Sequence, residues 1–163
     1  MWNKKKNTGF TLVELMTVVL VVSIGIVGVV NLISQILLYT RLNQSKLIAS
    51  YLAQEGIEIV RNIRDTNWLE QTSWDDGIPA SPPDYALDYL TQSLPDTRCN
   101  LENPLKIDDN GFYSCEGNTL TKFKRKINIQ KTGDTISVLV TVSFEEMGKN
   151  YEVRALEKLY NWK

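Results

Sequence analysis

One uncharged stretch constrains the fold of this chain more than any other feature. From residue 15 to residue 40 the sequence contains no Asp, Glu, Lys or Arg over 26 consecutive residues. About 20 predominantly apolar residues are enough for a helix to cross the hydrocarbon core of a bilayer. The sequence therefore predicts one membrane-spanning helix near the N-terminus.

The charges that flank this stretch predict its orientation. Lys4, Lys5 and Lys6 precede it, and only Arg41 and Lys46 follow closely behind it. Because positively charged flanks stay in the cytoplasm, we expect a cytoplasmic N-terminus and an exported remainder of the chain. A secretory signal peptide would have a shorter apolar core and a small-residue cleavage site after it, and this sequence does not fit that pattern.

A single acidic residue, Glu14, lies at the start of the apolar stretch. A carboxylate at mid-bilayer costs about 2.5 to 3.5 kcal/mol on insertion scales, so it implies a partner group. A cut after Gly9 would create such a partner, because it would produce a new terminal amine. An uncleaved membrane anchor remains the alternative, although such an anchor would have no need of Glu14.

The hexapeptide GFTLVE at residues 9–14 resembles the signature of the type IV pilin superfamily, which includes pilins and the pseudopilins of type II secretion. The resemblance implies cleavage after Gly9 by a prepilin peptidase and N-methylation of Phe10. It implies that Glu14 docks on the terminal amine of a neighbouring pilin or pseudopilin subunit, at an assembly platform in the inner membrane. Major pilins often have a helix-kinking proline where this chain has Asn31, so the resemblance does not imply a kink or local unwinding there.

The helical pattern continues beyond the membrane. No proline occurs before Pro79, and apolar or small residues recur at steps of three and four, as on one face of a helix. We therefore predict one helix from about Phe10 to about Asp65. The residues that form its apolar face are Leu52, Gly56, Ile59, Val60 and Ile63.

The end of the chain has the period of a β-sheet. From Ile136 to Phe144 every second residue is apolar, and a similar set from Phe123 to Ile129 is broken by Arg125. Turn residues at 131–134 and 147–150 predict two hairpins, and the unclear phase near Leu156 predicts a possible bulge. The predicted fold class is α+β, with the helix packed on an antiparallel meander of three or four strands, and the pilin resemblance implies the same architecture.

These patterns divide the chain into three parts. The segment before the last strands contains all five prolines, and we expect it to pack over the sheet edge with a helical turn around Tyr85 to Leu90. The parts are a leader at 1–9, a transmembrane or filament-core helix at 10–40 and an extracytoplasmic domain at 41–163. The domain comprises helix 41–65, variable segment 66–120 and meander 121–163.

Cys99 and Cys115 are the only two cysteines, and both fall on the predicted exported side. Outside the cytoplasm such a pair indicates a disulfide, with two free thiols as the alternative. The sequence has no histidine, so we expect no metal site and no cofactor.

Two acidic clusters and one basic stripe remain. Asp108 to Gly111 and Asp75 to Gly77 could suggest calcium, but they lack EF-hand spacing and fit turns better. Lys122, Lys124 and Lys126 would share one strand face, where a solvated face or edge protection is commoner than nucleic-acid binding. Without the leader the chain would have 15 basic and 19 acidic residues, a net charge of 15 − 19 = −4, which opposes nucleic-acid binding.

No nucleophile motif or phosphate-binding loop indicates an enzyme. We expect a structural filament subunit of a pilus or pseudopilus, bound first to the cytoplasmic membrane and then displayed at the cell surface. The QEGIE stretch at 54–58 and the C-terminal LYNWK resemble minor rather than bulk subunits. The alternative is a binding module, an adhesin or DNA receptor, at a filament tip or on an uncleaved anchor.

Overall fold

The computed structural model describes residues 9–79 and 84–162. The predicted leader lysines, Lys4, Lys5 and Lys6, and the last residue lie outside the described residues. The chain forms two units, Met1–Leu42 and Asn43–Lys163, and each is described by itself.

A single helix, α1, is assigned to Leu12–Leu69 and contributes to both units. It begins two residues after the predicted start and ends four residues beyond the predicted Asp65. At its C-terminal end Gln71 has φ 59°, and the Thr72 N–H donates to the carbonyl of Asn67 at 3.0 Å. This is the Schellman arrangement, which stops a helix with one left-handed residue, usually Gly and here Gln.

Within the second unit, one face of α1 is buried. The predicted apolar face is confirmed, because each of its members is buried and Gly56 lies directly against Val140. A Cβ at Gly56 would lie 3.0 Å from Val140 Cγ1, so a larger residue would separate the helix from the sheet.

The partner of this face is a three-stranded antiparallel meander, which confirms the predicted α+β fold. Its strands are β4 (Lys124–Thr132), β5 (Thr135–Glu146) and β6 (Lys149–Tyr160), in the order β4-β5-β6. Both predicted hairpins are present, with two-residue turns at Gly133-Asp134 and Met147-Gly148. The φ angles of 53° at Met147 and 70° at Gly148 match the type I′ turn that suits the strand twist.

The predicted bulge near Leu156 is wrong. The pairing of β5 with β6 is regular from Glu146↔Lys149 to Thr135↔Tyr160, with Leu139 opposite Leu156. Leu156 is 62% exposed, and the inward position after it is taken by Glu157. The apolar alternation was lost because Glu157 faces inward and accepts a hydrogen bond from Arg61 of α1.

The predicted helical turn around Tyr85 to Leu90 is also wrong. The Tyr85 N–H donates to Ile127 O and the Ile127 N–H to Tyr85 O, both at 2.8 Å, so the chain is extended at Tyr85. The segment turns without forming a helix at Asp88 to Thr91, where the Thr91 N–H donates to the Asp88 carbonyl at 3.0 Å. It adds to the free side of β4, which confirms the prediction that the middle segment packs over the sheet edge. A second small sheet follows, in the order β2-β1-β3, formed by β1 (Lys106–Ile107), β2 (Tyr113–Ser114) and β3 (Thr119–Leu120).

Arg125 is the polar residue that interrupts the inward face of β4. It is 3% exposed, and its guanidinium donates to the carbonyls of Leu52 at 3.1 Å and Leu87 at 2.6 Å. It also lies 3.1 Å from the Glu55 carboxylate. Burial lowers the pKa of Arg125, and Glu55 opposes that shift. One side chain thus ties together the helix, the sheet and the middle segment.

Candidate functional site

The start of α1 is the first part of the candidate site. Gly9 and Phe10 precede the helix in a non-helical, exposed conformation, and Phe10 is 79% exposed. A Cβ built on Gly9 would meet no atom within 4 Å. The peptide bond between these residues is therefore sterically accessible.

Thr11 fixes where the helix begins. Its side-chain oxygen accepts a hydrogen bond from the Glu14 N–H at 3.3 Å, and its carbonyl accepts one from Leu15 N–H at 3.1 Å. Thr11 is therefore the N-cap, and Glu14 occupies the third helical position of a capping-box sequence. Sequence reasoning did not assign this role, although the Thr-x-x-Glu spacing was a signal for it.

Glu14 lies in the first turn of α1 with its carboxylate exposed. Among the described residues this carboxylate has no ion-pair or hydrogen-bond partner. An acidic residue in the first turn is favourable because the helix dipole is positive there. That favourable interaction does not replace the partner that a carboxylate requires at a lipid boundary.

The apolar surface that follows is the second part of the site. Every large apolar side chain from Leu12 to Tyr39 is between 44 and 73% exposed. By length and composition, α1 is the one helix of the described residues that could cross a membrane. Exposure on this scale is far beyond what a soluble monomer usually presents to water.

A comparison with protein-family models gives a match, and it covers the start of α1. Residues 4–30 match the family model of the prokaryotic N-terminal methylation motif. No curated protein and no solved structure matches the chain. The motif and the α+β architecture together support a type IV pilin-like protein, and its N-terminal helix is long and apolar enough to cross a membrane. The motif implies that it is a prepilin, processed by a prepilin peptidase and assembled with other pilins.

The predicted disulfide between Cys99 and Cys115 is present. Asp88 lies beside it, fully buried, and accepts hydrogen bonds from Ser114 Oγ at 2.8 Å, the Cys115 N–H at 3.2 Å and Arg98 at 3.1 Å. The ligand atoms of Asp88 and the two cysteines lie within 4.8 Å of one another, but both sulfur atoms are used in the disulfide. The group therefore anchors the middle segment, a role that sequence reasoning did not assign to Asp88.

The predicted basic stripe is largely neutralised by neighbouring acids. Lys122 pairs with Glu146, and Lys126 Nζ lies 2.5 Å from Asp84. Lys124 is exposed at the start of β4. A stripe in which two of three lysines are already ion-paired offers little free charge to a phosphate backbone.

Both acidic clusters form turns. The Asp108 carboxylate accepts hydrogen bonds from the N–H groups of Asn110 and Phe112, each at 2.9 Å, and from the Tyr89 hydroxyl at 2.5 Å. The Tyr89 hydrogen bond is the main reason why the pKa of Asp108 is lowered. Asp75 pairs with Lys131. The Ile78 N–H donates to the Asp75 carbonyl at 3.1 Å and the Gly77 N–H to the Asp76 carboxylate at 3.0 Å, so this cluster is also a turn, as predicted.

Proposed function

We propose that this protein is a minor structural subunit of a type IV pilus or of a type II secretion pseudopilus. It is synthesised as a prepilin, cut after Gly9, methylated on Phe10 and held in the cytoplasmic membrane with its N-terminus in the cytoplasm. The observation that carries this proposal is the exposed, non-helical Gly9–Phe10 junction directly before a capped apolar helix, inside the matched motif.

Cleavage at this junction changes the electrostatics of the helix start. A new amine at Phe10 would be positively charged next to the positive end of the helix dipole, which is unfavourable. The Glu14 carboxylate has no partner among the described residues and carries the complementary charge. Pairing Glu14 of one subunit with the terminal amine of the next would satisfy both groups in lipid, and an inner-membrane assembly platform would bring the subunits together.

A structural rather than enzymatic role fits the domain. The chain has no histidine, and Lys126 of β4 and Lys122 just before it, which could act as bases, are held in ion pairs. The exported domain in this proposal projects from the membrane and later from the filament surface. Its middle segment, anchored by the disulfide and by Asp88, is the part that distinguishes it from other subunits.

The N-terminal mass of the full chain from its native membrane or surface fraction tests the processing step. We expect a chain that begins at Phe10 and carries an added methyl group. Gly9→Val should leave the leader attached, whereas Gly25→Val, the same change within the open face of the helix, should be processed normally. An intact Met1 in the unaltered protein would contradict the proposal and favour an uncleaved anchor.

Incorporation into filaments tests the docking role of Glu14. Glu14→Val should be processed but largely absent from sheared filaments, because it cannot neutralise the neighbouring amine. Glu14→Asp, which keeps the carboxylate, is the matched control and should retain part of the incorporation. Normal incorporation of Glu14→Val would rule out this role.

A binding function at the filament tip is the second candidate, and one observation favours it. The Tyr89 and Phe112 rings lie 5.3 Å apart on the middle segment, and both side chains are exposed. Exposed aromatic pairs are typical of recognition surfaces. A few copies per purified filament would favour a tip subunit, whereas copies along the whole filament would favour a bulk subunit.

A further inference from the structure

Two amide side chains lie in the second half of the apolar stretch at residues 15–40. Asn31 and Gln35 are exposed on α1, and within the described residues neither side chain makes a hydrogen bond. The hydroxyl groups in the same stretch behave differently. Ser23 and Ser34 each donate to a carbonyl of their own helix, at 2.7 and 3.0 Å. Ser23 and Ser34 thus find acceptors on the helix itself, whereas the two amides have no hydrogen-bond partner in the part of the chain that the structure describes.

An amide in hydrocarbon needs a polar partner. Each one offers two donors and a carbonyl oxygen with two lone pairs. Lipid chains supply neither donors nor acceptors, and the hydrocarbon core contains no water to replace them. Polar side chains in membrane helices therefore face other helices, where they form hydrogen bonds across the interface. Lipid alone therefore cannot satisfy the hydrogen-bonding groups of Asn31 and Gln35.

The two amides share one face with a glycine. Gly28, Asn31 and Gln35 follow one another at steps of three and four, so they align along the helix. A Cβ at Gly28 would meet no atom within 4 Å, which leaves its backbone open to close approach by a second helix. Ile24 and Leu38 continue the same face on either side, with the spacing of a helix–helix seam.

We propose that this seam, Ile24, Gly28, Asn31, Gln35 and Leu38, is the surface through which two copies of this chain associate side by side in the membrane before assembly. A second copy fits because an amide is both donor and acceptor, so two identical faces satisfy each other. The proposal rests on the membrane insertion in the proposed function, since chains inserted in one orientation bring identical residues to the same depth.

This contact is separate from the docking role of Glu14. Asn31 follows Glu14 by 17 residues, which is about 25 Å along a helix. Glu14 would act at the start of the span, whereas the seam lies deeper and sets which faces of two neighbouring helices meet. Loss of one contact therefore leaves the other testable.

Cysteine cross-linking in membranes tests the seam on the full chain. The cells should contain the prepilin peptidase and lack the other filament components. Among the described residues no cysteine is free, so an introduced cysteine supplies the only reactive thiol there. Ile24→Cys and Leu38→Cys should give cross-linked pairs on mild oxidation. Ile26→Cys and Ile33→Cys, on the opposite side of the helix, are the matched controls and should not.

Removal of the amides should weaken the association. Asn31→Leu and Gln35→Leu should each lower the yield of the Ile24→Cys pair about threefold to tenfold, the range for one hydrogen bond between membrane helices. A composition-preserving swap is the sharper variant. Asn31→Ile with Ile33→Asn, combined with Gln35→Leu and Leu37→Gln, moves both amides to the opposite face. It should transfer cross-linking from Ile24→Cys to Ile26→Cys.

The outcomes separate this proposal from the proposed function, because the N-terminal mass is measured on the same membranes. A processed chain whose seam and control cysteines cross-link equally, or not at all, overturns the seam and leaves the prepilin assignment intact. An unprocessed chain that still cross-links through the seam overturns the processing step and supports the seam. Cross-linking that appears only when a second pilin-like chain is added overturns the choice of a second copy.

Discussion

Two glycines of the same helix show how different its two halves are. A Cβ at Gly56 would lie 3.0 Å from Val140 Cγ1, which is a tight contact, whereas a Cβ at Gly28 would have no atom within 4 Å. In the second unit the chain supplies its own packing partner, the β4-β5-β6 sheet. In the first unit the apolar side chains from Leu12 to Tyr39 are exposed among the described residues, and in our proposal lipid and other subunits cover them. The difference separates the residues that fold the domain from those that assemble it.

The polar side chains of the domain and of the apolar stretch also differ in whether they have partners. In the domain, Arg61 pairs with Glu58 and Glu157, and the hydrogen bond from Arg61 to Glu157 is the main reason why the pKa of Arg61 is raised. In the apolar stretch, the side chains of Glu14, Asn31 and Gln35 have no such partner among the described residues. Glu14, Asn31 and Gln35 are thus the side chains for which we propose partners in other subunits.

The largest expected difference between the two halves comes from the loss of a leucine. Leu52→Ala should lower the free energy of unfolding by about 2 to 5 kcal/mol, because Leu52 is 3% exposed and its loss leaves a cavity. Leu32→Ala, in the exposed stretch, should leave that free energy unchanged. Denaturation of the full chain in detergent, followed by the fluorescence of Trp68 and Trp74, measures both. Equal losses would mean that the two halves are not packed differently.

The disulfide should matter only to the domain. Replacing both Cys99 and Cys115 by Ser should cost about 3 kcal/mol of unfolding free energy, since the bond closes a loop with a separation of 16 residues. Reduction of the unaltered protein is the control and should give a similar loss. Membrane insertion and N-terminal processing should not change. A loss below about 1 kcal/mol would show that Asp88 and its hydrogen bonds hold the segment without the bond.

A larger side chain at each glycine tests the comparison directly. Gly56→Leu should destabilise the domain by about 1 to 3 kcal/mol, because the added atoms overpack the contact with Val140 and Ile127. Gly28→Leu should leave domain unfolding unaffected and instead reduce cross-linking through the membrane seam. If Gly28→Leu destabilised the domain as much as Gly56→Leu, Gly28 would be packed against other residues in detergent, which would contradict the open space around it.

Local patterns in the sequence predicted most of the regular structure. The alternation from Ile136 to Phe144 predicted a strand because it records which side of the sheet is buried, and the structure confirms it. The hexapeptide at residues 9–14 predicted the candidate processing site for a similar reason, since cap, junction and acid all lie within six residues.

Contacts between distant residues could not be predicted in this way. Tyr85 is extended because it pairs with Ile127, and no local signal reveals that partner. Arg125 breaks the strand pattern because carbonyls 73 and 38 residues away accept its hydrogen bonds. Glu157 obscured the phase of β6 because its partner, Arg61, lies on the helix. For Glu14 the difficulty is greater, because the partner we propose belongs to another molecule.

The smallest expected effect concerns an ion pair of the domain. Hydrogen bonds from Lys126 and Asn128 lower the pKa of Asp84 below its ordinary value. A carboxyl group with a lowered folded pKa stabilises the protein above its unfolded pKa, and the effect is lost as the pH falls through the folded value. Stability should therefore decline below about pH 4, the ordinary range for Asp.

Lys126→Met should reduce this acid-dependent loss by at most about 1 kcal/mol, because the Lys126 side chain is 57% exposed and solvent screens the pair. Lys124→Met, on the same strand face, is the matched control and should leave the pH profile unchanged. Unfolding measured between pH 3 and pH 7 compares the two. If the two variants had identical pH profiles, the ion pair between Asp84 and Lys126 would contribute nothing to stability. The lysines of β4 would then be more available to an anionic ligand than their ion pairs indicate. A difference would show that Asp84 gains stability from a partner inside the domain, in contrast to the amides of the apolar stretch, for which we propose a partner in a second copy.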